Sequence, residues 1–138
     1  MFTKAILAVS LLAVSVFANP TPSSVLQKRA VTCAGNVYSD TEVEGCRATL
    51  CFYDNRQGPG GYPHRFNNYE GINFGSYTGD LYEYPLVHDT RPYSGGPPGA
   101  DRCVAAYDQV TGNCKLVGAM THNGVPPTAS SNSFVPCV

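Results

Sequence analysis

The chain has 138 residues, of which 14% are charged, and a formal net charge of −1 at pH 7. This length allows one small domain with a single modest core. The near-neutral charge excludes the broad basic surface of a tight, sequence-independent nucleic-acid binder, so any contact with phosphate must be local.

Residues 1–18 have the pattern of a secretory signal peptide. A short positive region ending at Lys4 precedes an apolar run, residues 5–17, that is too short to span a bilayer, and Ala18 follows at a small-residue cleavage site. We therefore predict a secreted protein, located outside the cell, with no membrane association once the signal peptide is removed.

Residues 19–29 are polar, contain two prolines and end in the dibasic pair Lys28-Arg29. We interpret them as a pro-segment that is cut after Arg29; a flexible tail that stays in place is the alternative. The domain is then residues 30–138. The removed part holds three of the nine basic residues and none of the ten acidic ones, so the net charge of the domain is −4.

All six cysteines lie in the predicted domain. They are Cys33, Cys46, Cys51, Cys103, Cys114 and Cys137. An even number of cysteines in a secreted domain indicates three disulfides, and a structural zinc site is disfavoured because no Cys-x-x-Cys pair or Cys/His cluster appears. The sequence alone leaves the pairing open.

A helix is predicted after Ser39. Ser39 and Glu42 have the spacing of a capping box, in which an N-cap serine is followed three positions later by glutamate. An apolar stripe of helical period follows, made of Val43, Cys46, Leu50 and Tyr53. The spacing predicts about four turns, and we expect residues 58–61, Gly-Pro-Gly-Gly, to end the helix.

Two cysteines of this helix cannot bond to each other. At a rise of about 1.5 Å per residue, the Cα atoms of Cys46 and Cys51 are separated by more than the roughly 7 Å that a disulfide spans. Each must therefore pair with a cysteine outside the helix.

Short extended segments follow the glycine-rich turn, rich in β-branched and aromatic residues and separated by Gly, Pro, Asn and Asp. They are residues 62–66, 81–87, 102–107 and 115–121. This pattern predicts an antiparallel sheet. The fold class is α+β, with one N-terminal helix packed on one face of a small antiparallel sheet, stapled by disulfides, and the other face left for function.

The alternation of side chains along a strand gives this prediction more detail. Arg102 and Val104 share one face and Cys103 lies on the other, so a disulfide from Cys103 to the helix places Arg102 on the open face. In a regular strand Cys114 and His122 would lie on the same face, unless a bulge lies between them or the strand starts after Cys114. We predict the later start, because residues 111–113 resemble a hairpin turn.

The remaining motifs identify a family. The blocks are Tyr62-Pro63-His64 with Asn67 to Gly71, Tyr82 to Pro85, Tyr93 to Gly96 with Pro98 to Arg102, Thr121-His122 with Gly124, and Asn132 to Cys137. In this order the chain resembles the small secreted fungal guanyl-preferring ribonucleases of the ribonuclease T-one type. The resemblance covers most of the chain from Tyr62 onward, and it implies the disulfides Cys33–Cys137 and Cys51–Cys114, and with them Cys46–Cys103.

Cleavage of RNA beside a ribose 2′-hydroxyl requires a base for that proton, an acid for the leaving 5′-oxygen and positive charge at the phosphoryl oxygens. The resemblance implies Glu83 as the base and His122 as the acid. It also implies His64 beside Glu83, Arg102 and Tyr62 at the phosphate, and Phe134 packed next to them. No metal or cofactor is needed, since the 2′-hydroxyl is an internal nucleophile.

Guanine recognition is implied for a second set of residues. These are Phe66, Asn67, Asn68, Tyr69, Glu70 and Asn132. The Glu70 carboxylate would accept from two N–H groups of guanine, the backbone around Asn67 would donate to O6 and N7, and Asn132 would offer a carbonyl. Phe66 and Tyr69 would stack on the base, which requires single-stranded RNA.

Three departures from the family fall near the base pocket. Phe66 replaces the usual tyrosine, Ser133 replaces a second asparagine, and residues 125–131 form a longer loop. We expect a monomer without a stable protein partner. Two alternatives are a non-catalytic secreted effector on the same scaffold and a ribosome-targeting toxin of the sarcin type. The net charge of −4 and the single lysine of the domain, Lys115, disfavour the toxin.

Overall fold

The computed structural model describes residues 30–138 except Asn55. The predicted signal peptide and pro-segment lie outside these residues. The elements are β1 (Val31–Cys33), β2 (Asn36–Tyr38), α1 (Asp40–Tyr53), a 3-10 turn (Pro59–Gly61), β3 (His64–Arg65), β4 (Asp80–Pro85), β5 (Asp101–Asp108), β6 (Asn113–Thr121) and β7 (Val135–Pro136). Within this part of the chain, no helix has the length and apolar character needed to cross a membrane.

Strands β3 to β7 form one antiparallel sheet in sequence order, and β1 and β2 form a separate hairpin. The α+β fold class is confirmed. Each predicted strand is present with adjusted bounds. The short strands β1, β2 and β7 are additional elements.

Helix α1 starts as predicted. The Ser39 Oγ accepts from the Glu42 N–H, and the Glu42 carboxylate accepts from the Ser39 N–H at 2.7 Å. The predicted end of α1 at the Gly-Pro-Gly-Gly segment is wrong. The helix ends at Tyr53 because Asp54 takes a left-handed conformation (φ 45°), with its N–H still donating to the Leu50 carbonyl at 3.2 Å.

Both faces of the sheet are covered in part. On the helix side, the buried core includes Leu50, Tyr84 and Cys103. On the other face, a second apolar cluster contains Ile72, Leu81, Val104, Ala106 and Met120, flanked by Phe66, Phe74, Val117 and Phe134. The face that we expected to be left for function is therefore shared between this cluster and the polar site described below.

The predicted start of β6 after Cys114 is wrong. Cys114 lies within β6 opposite Tyr107. The alternation of faces along β6 is interrupted because its pairing with β5 shifts by one residue. Val104 is opposite Gly118 while Ala105 is opposite Leu116, which leaves Val117 as a bulge residue. A bulge, the alternative considered for this strand, separates Cys114 from the face of the functional residues.

The structure contains three disulfides, in the pairing that the resemblance implies. Cys46–Cys103 and Cys51–Cys114 join the helix to β5 and β6, with Cα–Cα distances of 6.3 and 5.9 Å. Cys33–Cys137 joins β1 to the C-terminal segment. Closing such long loops stabilises the fold mainly by restricting the unfolded chain.

Candidate active site

Neighbouring strands bring four of the predicted catalytic residues together. His64 on β3 lies directly opposite Glu83 on β4, and Arg102 is on the adjacent β5. The His64 Nδ1 is 3.1 Å from the Glu83 Oε1, and the Arg102 Nε is 2.7 Å from the Glu83 Oε2. The Arg102 Nη2 donates to the Tyr62 hydroxyl at 3.1 Å. The carboxylate is thus held between an imidazole and a guanidinium.

The Glu83 carboxyl is buried, with 6% of the residue exposed. Burial raises its pKa to about 7, and the positive charge of Arg102 opposes this rise. The Nε and Oε2 atoms of the pair are close but not aligned for a hydrogen bond. A carboxyl group that titrates near neutral pH is well suited to act as a general base.

Arg102 is fixed by backbone carbonyls. Its Nη1 donates to the Gly99 carbonyl at 2.8 Å and to the Asp101 carbonyl at 2.9 Å, and only 3% of the residue is exposed. Its guanidinium carbon lies 5.4 Å from the centre of the Tyr62 ring. The cation is therefore positioned before any substrate binds.

The His64 and Tyr62 rings are stacked with centroids 3.9 Å apart. Burial and the charge of Arg102 lower the pKa of His64 below its usual value. Burial also raises the pKa of Tyr62, so its hydroxyl stays protonated and able to donate at neutral pH. Tyr62 is buried, whereas about half of the His64 side chain is exposed to the ligand side.

His122 follows β6 and is held by its backbone and its ring. Its N–H donates to the Ala100 carbonyl at 3.0 Å, and its Nδ1 is 2.8 Å from the Ser133 carbonyl. The ring stacks on Phe134 with centroids 3.8 Å apart. Because a carbonyl accepts from a protonated Nδ1, the Nε2 is left to carry the exchangeable proton.

A loop and the C-terminal segment hold the predicted base-recognition residues. Asn68 takes a left-handed conformation (φ 53°), and its side-chain amide exchanges two 2.8 Å hydrogen bonds with the backbone of Ile72. This turn presents Tyr69, whose side chain is 90% exposed, and Glu70. The Glu70 Oε1 accepts from the Phe134 N–H at 3.1 Å, which connects the loop to the segment that supports His122.

A cleft of about 580 Å³ opens beside Glu70. Its lining contains the predicted residues Tyr69, Glu70, Asn132 and Phe134, together with Val125, Pro126, Ala129, Ser130 and Ser133. Four of these other residues belong to the 125–131 loop. The longer loop therefore supplies part of the lining of the cleft.

Phe66, Asn67 and Asn68 line a different hollow of about 170 Å³. The half-buried Phe66 ring packs edge to face against Phe74 and Phe134, with centroid distances of 6.2 and 5.8 Å. Phe66 thus packs against the second apolar cluster and does not line the cleft beside Glu70. Its stacking on a base, which the resemblance implies, stays a prediction.

Sequence reasoning missed a buried support of Arg102. The Asp101 Oδ2 accepts from the Tyr38 hydroxyl at 2.6 Å and from the Asn36 Nδ2 at 3.0 Å, and only 3% of Asp101 is exposed. These contacts tie the β1–β2 hairpin to the first residue of β5. No local signal in the sequence identified the distant partners of Asp101.

The fold and the site together define a small disulfide-stapled α+β domain in which a buried carboxylate contacts a histidine and an arginine, and a second histidine stacks on Phe134 at the edge of an open cleft. A family model described as ribonuclease matches residues 26–138. The chain therefore belongs to the ribonuclease family, which confirms the resemblance seen in the sequence.

Several relatives are similar over nearly the whole domain. Guanyl-specific ribonuclease U1 of Ustilago sphaerogena is 44% identical over 109 residues, which cover 78% of this chain and 94% of that protein. Guanyl-specific ribonuclease T1 of Aspergillus oryzae is 40% identical over 119 residues, 84% of each chain. Extracellular guanyl-specific ribonuclease Fl1 of Gibberella baccata is 39% identical over 111 residues, 78% of this chain and 95% of that protein.

Proposed function

We propose that this protein is a secreted endoribonuclease that cleaves single-stranded RNA on the 3′ side of guanosine, through a 2′,3′-cyclic phosphate, without a metal ion. The observation that carries this proposal is the position of Glu83. Its buried carboxyl contacts both His64 and Arg102, and its pKa is raised to about 7. The names of the relatives support guanosine as the target.

In the first step, Glu83 accepts the proton of the ribose 2′-hydroxyl. The bond between O2′ and phosphorus forms, the bond between phosphorus and O5′ breaks, and His122 donates a proton to the leaving O5′. The Arg102 guanidinium and the Tyr62 hydroxyl, already in contact, stabilise the charge on the phosphoryl oxygens. His64 orients Glu83 through the 3.1 Å contact.

In the second step, water replaces the leaving alcohol. His122, now neutral, accepts a proton from water, and protonated Glu83 returns its proton to O2′ as the cyclic bond breaks. The product carries a 3′-phosphate. The two groups exchange roles between the steps, so that each acts once as an acid and once as a base.

Guanine binds in the cleft beside Glu70. The carboxylate accepts from N1–H and N2–H of guanine, a donor pair that adenine lacks, and Asn132 contributes a carbonyl. The hydrogen bond from the Phe134 N–H holds the Glu70 carboxylate in place through its Oε1. The exposed Tyr69 ring closes over the base.

Secretion is supported by the three disulfides and by a relative that is named as extracellular. The proposed signal peptide and pro-segment, residues 1–18 and 19–29, are consistent with this route. We propose that the mature domain acts as a monomer, since all residues assigned to the reaction come from one chain.

The test uses the mature domain, residues 30–138, with the dinucleotides GpC and ApC in the presence of EDTA. We expect cleavage of GpC through a cyclic intermediate and much slower cleavage of ApC. Absence of cleavage of both would contradict the ribonuclease proposal. Equal cleavage would contradict only the guanine preference, and a single discrete cut in ribosomal RNA would favour the toxin alternative.

A matched pair of variants separates recognition from chemistry. Glu70→Ala removes the acceptor at the base edge and is expected to lower the rate on GpC more than that on ApC. Glu44→Ala removes an exposed carboxylate on the helix, outside both hollows, and is expected to change neither rate.

A further inference from the structure

Asn123 and Gly124 lie directly after His122 and have no role in the proposed reaction. They form the only Asn-Gly sequence in the chain. Both residues are exposed, and the Asn123 backbone N–H donates to the Thr121 Oγ1 at 3.0 Å. Within the described residues, neither the Asn123 side chain nor the Gly124 N–H has a hydrogen-bond partner.

The space around the Cα of Gly124 is open. A Cβ built on Gly124 would have one neighbour within 4 Å, the Val135 Cγ2 at 4.0 Å. Gly124 has φ +83°, a conformation that glycine adopts without a steric penalty. A backbone nitrogen without a side chain or a hydrogen bond to restrain it can approach the carbonyl carbon of the preceding asparagine side chain.

We propose that Asn123 is a spontaneous modification site, at which deamidation places a negative charge next to His122. The Gly124 nitrogen loses its proton and attacks the Asn123 Cγ. The bond between Cγ and Nδ2 then breaks and ammonia leaves, giving a five-membered succinimide. Water opens the ring at Cγ to give aspartate, or at the main-chain carbonyl to give isoaspartate. The net change is the addition of water and the loss of ammonia, without an oxidant or reductant.

Deamidation of Asn123 would affect His122, the proposed general acid, because the two residues are adjacent in the chain. His122 is held by its own N–H at Ala100 and by its Nδ1 at Ser133. Isoaspartate adds a methylene to the main chain one residue beyond these contacts. The effect on activity rests on the proposed function, but the modification itself does not.

Ageing of the purified domain at mildly alkaline pH tests the proposal. After reduction and digestion with trypsin, the peptide that begins at Leu116 contains Asn123. We expect it to gain the mass of an amide-to-acid conversion at Asn123, at a rate similar to that of a synthetic peptide of residues 121–125. Asn123→Gln should remain unmodified at this position. An unmodified protein under conditions in which the synthetic peptide reacts would overturn the proposal.

Activity on GpC is measured in the same samples. The rate is expected to fall in wild type in proportion to the modified fraction, while Asn123→Gln keeps its starting rate over the same period. If the modified fraction rises and the rate does not change, the effect on His122 is refuted while the modification site stands. If fresh protein is inactive on GpC, the proposed function fails, and the mass measurement still decides whether Asn123 is modified.

Discussion

The two ends of the active site are built differently. At the reaction end, Glu83 and Arg102 lie on the adjacent strands β4 and β5, and 6% and 3% of these residues are exposed. At the base end, Tyr69 is 90% exposed and belongs to a loop that faces the longer 125–131 loop. The residues proposed to stabilise the transition state are on the sheet, while the residues proposed to recognise the base are on loops, where the sequence can change without disturbing the geometry of the sheet.

The largest effect is expected at the reaction end. Glu83→Gln keeps the shape of the side chain and removes the base, so kcat/KM on GpC should fall by about 10²- to 10⁴-fold. The rate on ApC should fall by a similar factor, because this residue does not contact the base. Steady-state kinetics with both dinucleotides measure this. A loss of kcat/KM on GpC alone would mean that Glu83 also contributes to recognition of the base, so that the two ends do not act independently.

The buried carboxyl of Glu83 should also give stability a characteristic pH dependence. Its folded pKa is raised from 4.5 to about 7, so the folded state retains a proton that the unfolded state has released. The contribution of protonated Glu83 to the free energy of unfolding is therefore fully present below pH 4.5 and is lost as the pH rises to about 7. The loss is at most about 3 kcal/mol in the free energy of unfolding.

Urea unfolding of wild type and Glu83→Gln at several pH values isolates this contribution. The stability of wild type relative to the variant should decline between pH 4.5 and about 7 and then level off. The difference between the two proteins removes the opposite contribution of His64, whose pKa is lowered by burial. A difference that is independent of pH would contradict the raised pKa of Glu83.

The reaction end depends on a support that lies far away in the sequence. Asp101→Ala removes the acceptor of the Tyr38 hydroxyl and the Asn36 amide, and it leaves the buried Tyr38 hydroxyl unpaired. We expect a loss of about 2 kcal/mol in the free energy of unfolding. Chemical denaturation measures it, and Asp89→Ala, at an exposed loop position, should cost less. Equal losses would show that the buried contacts contribute nothing specific.

Asp101 also illustrates what the sequence could predict. The capping box at Ser39 and the apolar stripe identified the helix, because both signals are local. The hairpin of β1 and β2 escaped prediction because its strands have three residues each and its turn places Ala34, not a typical turn residue, at φ 47°. The contacts of Asp101 with this hairpin depend on that missing element.

At the proposed site, the family motifs predicted the residues that act on phosphate, and three of these residues, His64, Glu83 and Arg102, lie on neighbouring strands of the sheet. His64 opposite Glu83 is a consequence of the register of β3 and β4. The alternation along β6 left a bulge as one of two alternatives, but its position at Val117 could not be predicted, since one extra residue leaves no mark in composition. The position of Phe66 was also inaccessible, because Phe74 and Phe134, which pack against its ring, come from distant segments.

At the base end, Tyr69→Ala should weaken binding of GpC. Loss of a stacked aromatic ring costs about 1–3 kcal/mol, equivalent to roughly 5- to 150-fold in affinity. Tyr69→Phe keeps the ring and should retain most of the affinity. Binding of a guanosine monophosphate, followed by titration calorimetry, measures both variants, and the stability of the fold should not change because the side chain is exposed.

Phe66→Leu gives the smallest expected effect and the sharpest test of the comparison between the reaction end and the base end of the proposed site. In the structure Phe66 packs with Phe74 and Phe134 and does not line the cleft beside Glu70. The substitution should therefore lower the free energy of unfolding by about 1 kcal/mol and leave the ratio of GpC to ApC cleavage unchanged. If Phe66 instead stacks on the bound base, the ratio and the affinity will fall as they do in Tyr69→Ala. That result would mean that the ring leaves the apolar cluster when guanine binds, and that the base end is assembled by its ligand.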